Sequence, residues 1–421
     1  MAIRRRSWSL FGAWAMLALV SRSGFAQAPA VTADDFFDDT VVHEVRLTIN
    51  PRDWQELKAN FQLNLYYPAH FTWRGTTVRN VGIRSRGTGS RSGTKPALRV
   101  DFDQYVQGGR FLGLKSAVLR NNVQDPSQLH ERLSMQLFAR MGIASSREAH
   151  AKVFVNSEYV GLYTIVESVD KVFLERHFAQ SDGHLYKYDY DADDPPHYFE
   201  YSGPDPAFYS PKPFQPETHE LDPDPTPIAA MMRAIHETPD ADLLRVMAGF
   251  LDLNAFMVHV AVENFLADED GIVGNYGVNN FYFYRFEGST RSTFIPWDKS
   301  EAFKGGPRQG IWHNLYDVPS WLRNRLMERA ERFPELRDVY LNALLRCADL
   351  ALERAPDAPP DGPGWLEREI VRQHEQIRTA VLDDPYKPHS NDEFDASIGQ
   401  LLDFAHVRSE LVRDDVARSR R

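Results

Sequence analysis

A sheet-rich first half followed by a helical second half predicts an α+β fold, and three features of the chain point to it. Between residues 41 and 166 the apolar residues fall in short β-branched or alternating runs, broken by Gly, Asn and Pro. From residue 228 onward they recur at helical spacing instead. Between these regions, residues 181–227 carry so much Pro and Asp that a long helix or a central strand is not expected there. The chain of 421 residues is 43% hydrophobic and 25% charged, an ordinary globular composition with enough apolar side chains for a sizeable core.

The chain opens with an export signal. Arg4, Arg5 and Arg6 precede an apolar run at 8–20, and Ala26-Gln27-Ala28 supplies the small residues of a cleavage site, so residues 1–28 read as a signal peptide. Its loss removes four Arg and no acid, taking the net charge from -11 to -15. Later stretches are too short or too charged to span a bilayer, so a periplasmic or extracellular product without a transmembrane segment is expected. With 59 Asp and Glu against 48 Lys and Arg, nucleic acid is not an expected partner, because phosphate-backbone binding needs a basic stripe.

Residues 29–40 read as a flexible lead-in and 41–180 as the sheet-rich lobe. Strands are expected at 41–49, 78–84, 97–102, 117–120, 152–155 and 161–166, forming a twisted antiparallel sheet. Two helices interrupt them, at 52–61 and 128–141. In the second, Leu129, Leu133, Leu137, Phe138 and Met141 share a face and Gly142 supplies the stop. Asp170 starts a further helix. Residues 181–227 read as an insertion or linker, and 228–421 as the helical lobe. Helices are expected there at 228–236, 243–251, 255–266, 321–350, 365–382 and 395–416, with two strands at 280–286 and 293–297. Cys347, the single cysteine, falls in an apolar helical stretch and reads as a buried inert thiol. HExxH and GxSxG motifs are absent. The run Asp189, Asp191, Asp193, Glu200 has calcium-loop spacing, but Asp194 replaces its glycine and it reads as a solvated acidic insertion.

The two C-terminal strands carry the candidate chemistry. Ala267-Asp268-Glu269-Asp270 runs into a Gly-containing loop at 271–277, then Asn280 begins one strand and Asp298 ends the next. Two carboxylates and an amide on one hairpin suit a divalent cation and phosphates.

At this point the residues resemble a known family. Val81-Gly82-Ile83-Arg84-Ser85-Arg86-Gly87, Lys95-Pro96-Ala97-Leu98-Arg99-Val100, Val155-Asn156 with Tyr159-Val160-Gly161-Leu162-Tyr163 and Glu167, Leu185-Tyr186-Lys187, Asp270, Asn280-Phe281-Tyr282-Phe283-Tyr284 and Ile295-Pro296-Trp297-Asp298 together resemble the spore coat protein H (CotH) kinase family over about residues 40–415. The resemblance implies a two-lobed atypical protein-kinase-like fold that binds ATP and Mg or Mn and phosphorylates protein hydroxyls.

By that resemblance Lys95 grips the nucleotide phosphates beneath the loop containing Arg86 and Gly87. Glu131 is the candidate partner of Lys95, and Glu167 lies at the adenine hinge. Asp270 takes the acceptor's proton, while Asn280 and Asp298 hold metal. Two departures stand out. Trp297-Asp298-Lys299-Ser300 lacks the second acid of the family's Trp-Asp-x-Asp, and Asn275 competes with Asn280 through its ordinary-kinase spacing from Asp270. Three functions fit these residues: an exported kinase, a non-catalytic envelope or coat-like binding protein, and a metal-dependent phosphoester hydrolase.

Overall fold

The computed structural model describes residues 31–189 and 199–421. Seven strands close into a barrel: β1 (His43–Ile49), β2 (Tyr67–Trp73), β3 (Thr76–Ser85), β4 (Leu98–Asp101), β5 (Ser116–Arg120), β6 (Glu148–Val155) and β7 (Glu158–Glu167), in the order β1-β2-β3-β4-β5-β7-β6. The expected antiparallel sheet is therefore closed on itself, and its seam is a parallel pair with Val45 beside Val153. Strand β2 escaped the sequence reading because Pro68 breaks its pattern. A two-residue turn sets its register: Arg74 and Gly75 both take positive φ (46° and 77°), the geometry that matches strand twist in a hairpin.

Inward-facing Val45, Leu47, Phe71, Ile83, Val153 and Ile165 share one apolar core. The supposed flexible lead-in is corrected here. It carries helix α1 (Ala33–Phe36), whose fully buried Phe36 stands edge-on to Phe71, Trp73 and Phe111. An aromatic anchor in that core offsets the entropy of ordering the described part of the leader, residues 31–40.

Helix α2 (Pro51–Ala59) follows β1, starting on the Asn50 cap. Helix α3 (His130–Arg140) buries Leu133, Leu137 and Phe138 in the same core as the C-terminal helices, a cluster distinct from the barrel interior and reached from β7 by Leu162. Helix α4 (Lys171–Phe178) begins on the Asp170 side chain, as the sequence predicts.

A second sheet, ordered β11-β10-β8-β9, comprises β8 (His184–Tyr188), β9 (Phe214–Pro216), β10 (Phe281–Arg285) and β11 (Ser292–Pro296). Two of its strands thus come from the stretch read as an insertion or linker. Strand β8 precedes the Pro-rich punctuation, and the three-residue β9 ends at Pro216 on the sheet edge, where a missing donor costs least.

The helical half contains α5 (Thr226–Glu237), α6 (Asp240–Met247), α7 (Leu253–Phe265), α8 (His313–Tyr316), α9 (Arg325–Ala330), α10 (Pro334–Ala351), α11 (Trp365–Leu382) and α12 (Asn391–Ser419). The single helix expected at 321–350 is divided into α9 and α10, because Pro334 fits a first turn and not a helix interior. Cys347 is buried in α10, and burial pushes its thiol pKa up, away from reactivity. Residues 32–421 form one compact unit. No helix among the described residues is long and apolar enough to cross a membrane. Residues 1–28, read as a signal peptide, and Asp191 and Asp193 lie outside the described residues.

Candidate active site

Strands β10 and β11 place the two expected metal ligands side by side. Phe281 pairs with Pro296, and the Trp297 amide donates to the Asn280 carbonyl at 3.1 Å, so Asn280 enters the hairpin where Asp298 leaves it. Both residues take left-handed backbone, φ 57° and 50°. Asn and Asp tolerate that region better than other side chains, and such positions concentrate at functional sites.

The loop bearing Asp270 is fixed from below. Helix α7 contributes Glu263, whose two carboxylate oxygens accept from the Ile272 amide (3.1 Å) and the Val273 amide (3.3 Å). Gly271 lies so close that a Cβ there would stand 2.4 Å from the Glu263 carboxyl carbon, so the loop requires glycine. Lys299 completes a fully buried triad, with Nζ 2.7 Å from Glu263 and 3.0 Å from Asp268. Arg408 of α12 binds the Asn264 and Phe265 carbonyls at the end of α7 and the Pro307 and Gln309 carbonyls beyond Asp298. A cation at a helix C-terminus opposes the helix dipole favourably.

Asp270 accepts from Asn279 Nδ2 (3.0 Å) through Oδ1 and from Asn280 Nδ2 (2.8 Å) through Oδ2. Burial pushes its carboxyl up to about 7, against the Asn279 hydrogen bond and with help from Asp268 and Asp298. Asp298 behaves oppositely. Burial acts to raise it, but the Arg120 and Arg86 charges prevail and hold it near 2, hence ionised. Its Oδ1 takes Arg120 Nη1 at 2.6 Å and the Ser300 hydroxyl at 3.0 Å, while Oδ2 accepts from no protein donor among the described residues.

Asp270, Asn280 and Asp298 line a cavity of about 380 Å³ together with the loop that starts at Arg86 and Gly87. Gly87 has φ +104°, and a Cβ there would fall 2.6 Å from the Ser90 hydroxyl. The Arg86 guanidinium lies 5.3 Å over the Trp297 ring with no carboxylate partner among the described residues. Burial, with Arg120 nearby, lowers its pKa to about 10, so it stays charged.

Three expected placements are corrected. Lys95 does not face the cavity. It is 1% exposed, its ammonium 2.6 Å from Asp384 Oδ2 and 2.8 Å from the Leu162 carbonyl. Glu131 consequently pairs with Arg120, at 3.2 Å, and accepts the Lys299 amide at 2.9 Å. Its carboxyl is pushed up to about 7 by burial despite the Arg120 charge. Glu167 is likewise away from the cavity, gripped by Arg147 (2.6 Å) and by Arg176. Asn275 turns aside to His313 at 3.0 Å, leaving Asn280 beside Asp270.

The sequence reading passed over Arg120, Lys299, Glu263 and Arg408. Only the proximity of Lys299 to Asp298 could have drawn attention to one of them, since the other contacts join residues far apart in the chain.

The donor set suits a hard cation. Asp298 and Asn280 offer oxygen, and among the described residues no group of three or more His, Cys, Asp or Glu surrounds a point in space. Mg²⁺ and Mn²⁺ tolerate such sparse protein ligation because phosphate oxygens and water complete their shell.

The chain is 23% identical over 389 residues to the inner spore coat protein H of Bacillus subtilis (strain 168), covering 88% of this chain and 97% of that one. It is also 23% identical over 145 residues to spore coat protein homolog 1 of Rhizopus delemar, covering 33% of this chain and 23% of the relative. Among solved structures, the Helicobacter pylori proinflammatory kinase CtkA aligns over 75% of this chain and 95% of its own, at 8% identity and a TM-score of 0.27. HipA, from the Shewanella oneidensis MR-1 complex of HipA, HipB and operator DNA, aligns over 84% and 65%, at 12% identity and a TM-score of 0.35. The family described as CotH kinase protein matches residues 83–412, and the chain belongs to that family.

Proposed function

We propose that the chain is an exported protein kinase that transfers the γ-phosphate of ATP to a Ser or Thr hydroxyl of a protein substrate, with Mg or Mn as the metal. The observation that carries this reading is the placement of two neighbouring carboxyls on one cavity: Asp298, held by Arg120 and Ser300 through Oδ1 with no protein donor on Oδ2 among the described residues, and Asp270, fixed by Asn279 and Asn280 and pushed up to about 7 by burial. The first suits metal ligation and the second suits acceptance of a proton from an approaching hydroxyl.

The chemistry a bound divalent cation would supply is neutralisation of phosphate charge. Asp298 and Asn280 would hold that cation, and Arg120 keeps the Asp298 carboxylate turned and ionised. Arg86 and the close-packed turn at Gly87 would cover the phosphates. Asn279 and Asn280 orient the Asp270 carboxyl toward the acceptor. A periplasmic or extracellular location is supported by the reading of residues 1–28 as a signal peptide and by the likeness to proteins named for the spore coat.

A non-catalytic coat-like or envelope role is the second reading, favoured by Ser300 in the place of the family's second acid and by the burial of Lys95 away from the cavity. Labelled ATP separates the two. Native protein should incorporate or transfer label, while Asp298→Ala and Asp270→Ala should not. Equal labelling of all three proteins, or no nucleotide binding by any, overturns the kinase reading.

A further inference from the structure

We propose that Lys187, on β8, is the lysine that grips the nucleotide phosphates in this cleft, the task that the order of motifs assigns to Lys95. The inference rests on the kinase reading of the site.

Lys187 lines the same cavity as Gly87, Asp270, Asn280 and Asp298, and Lys95 does not. Its position is rigidly set. Strand β8 pairs with β10 so that Lys187 lies opposite Tyr282, two residues beyond Asn280. A sheet therefore ties this ammonium to the hairpin carrying the metal ligands, holding it more firmly than a loop would.

The side chain is also available. Its one ion pair among the described residues is with Asp189 Oδ2, at 2.6 Å, and Asp189 itself stands on the cavity wall. Lys187 remains 22% exposed, and its four-carbon stem can turn from that carboxylate to a phosphate without disturbing the core. Lys95 has no such freedom: removing its ammonium from Asp384 would strand a charge in the interior.

Charge balance points the same way. Among the described residues the cavity wall carries Asp189, Asp270, Asp298 and Glu301, and besides Lys187 the one basic residue lining it is Arg86. Such a surface repels a triphosphate unless more cations face it. An ammonium answers this need as a point charge, without the fork geometry that a guanidinium demands.

Calorimetric titration of the full chain with ATP and, separately, with adenosine, both in the presence of Mg²⁺, tests the assignment. Lys187→Met should weaken ATP binding roughly tenfold or more while leaving adenosine within about twofold, as expected for loss of one charge-assisted phosphate contact. Lys187→Gln, which keeps a polar partner for Asp189, should behave alike. Unchanged ATP affinity in both variants overturns the assignment of the lysine alone, and so does equal weakening toward ATP and adenosine. Failure of the unsubstituted protein to bind ATP overturns the kinase reading, and this inference with it.

Discussion

Lys95 with Asp384 and Arg120 with Asp298 are two close cation–carboxylate pairs, both 2.6 Å long and both linking the barrel to the C-terminal half. They differ in what remains unspent. Asp384 is fully engaged: Oδ2 accepts from Lys95 Nζ and the Leu162 amide, and Oδ1 accepts from the Tyr386 amide. Gly161 leaves room for it, since a Cβ there would stand 2.5 Å from the carboxylate. Asp298 takes both its donors on Oδ1, is 23% exposed, lines the cavity and has no protein donor on Oδ2 among the described residues. A saturated buried pair locks two parts of the fold, whereas a half-saturated pair at a cavity wall presents a charge to a ligand. The comparison shows why a lysine's sequence context alone is a poor guide to its role.

The largest expected effect lies at the saturated pair. Asp384→Ala leaves the Lys95 ammonium buried with only a carbonyl, and chemical denaturation should register a loss of roughly 3–5 kcal/mol. Phosphate transfer per folded molecule should hardly change. The double replacement Lys95→Met with Asp384→Leu should regain most of the loss, because a well-packed apolar pair often matches a buried ion pair. A cost below about 1 kcal/mol for Asp384→Ala would contradict the locking role.

The Glu263–Lys299–Asp268 triad lies between these extremes, fully buried and yet directly beneath the loop bearing Asp270. Burial acts to raise the Glu263 carboxyl, but Lys299 and His259 overcome it and hold it near 2. Because the folded value lies below the unfolded one, the stabilisation is complete above about pH 4.5 and is lost as pH falls toward 2. Urea denaturation of native protein and Glu263→Gln should therefore differ by about 3 kcal/mol at pH 7, with the gap narrowing only below about pH 4.5. A gap that stays constant down to pH 3 would show that the carboxylate charge contributes nothing.

Much of this architecture was legible in local pattern. The helices at 365–382 and 395–416, the Asp170 cap and the strands carrying Asn280 and Asp298 are set by periodicity and punctuation within a few residues. Closure of the barrel was not, because the β1·β6 seam joins residues about a hundred positions apart and leaves no local mark. Asp270, Asn280 and Asp298 converge on one cavity because they share a hairpin and its preceding loop, so a short segment holds the geometry. Lys95 and Glu131 lie on separate elements whose relative placement depends on tertiary packing. Asp384, the residue that captures Lys95, is 289 positions further along the chain.

Arg120 supplies the smallest effect and the sharpest contrast with the saturated pair. Its guanidinium reaches Asp298 with one nitrogen and Glu131 with another, while its charge stacks over Trp297 at 5.5 Å. Lysine at this position keeps the charge but has one nitrogen to divide between two carboxylates, so Arg120→Lys should let Asp298 turn away from its held orientation. Transfer of labelled phosphate should fall roughly tenfold, a change of about 1.4 kcal/mol in the barrier, with less stability lost than in Asp384→Ala. The two variants should thus cross: one unstable but competent when folded, the other better folded but slow. If Arg120→Lys instead transfers phosphate at the native rate, orientation of Asp298 by the guanidinium is unimportant, and charge alone in that position suffices.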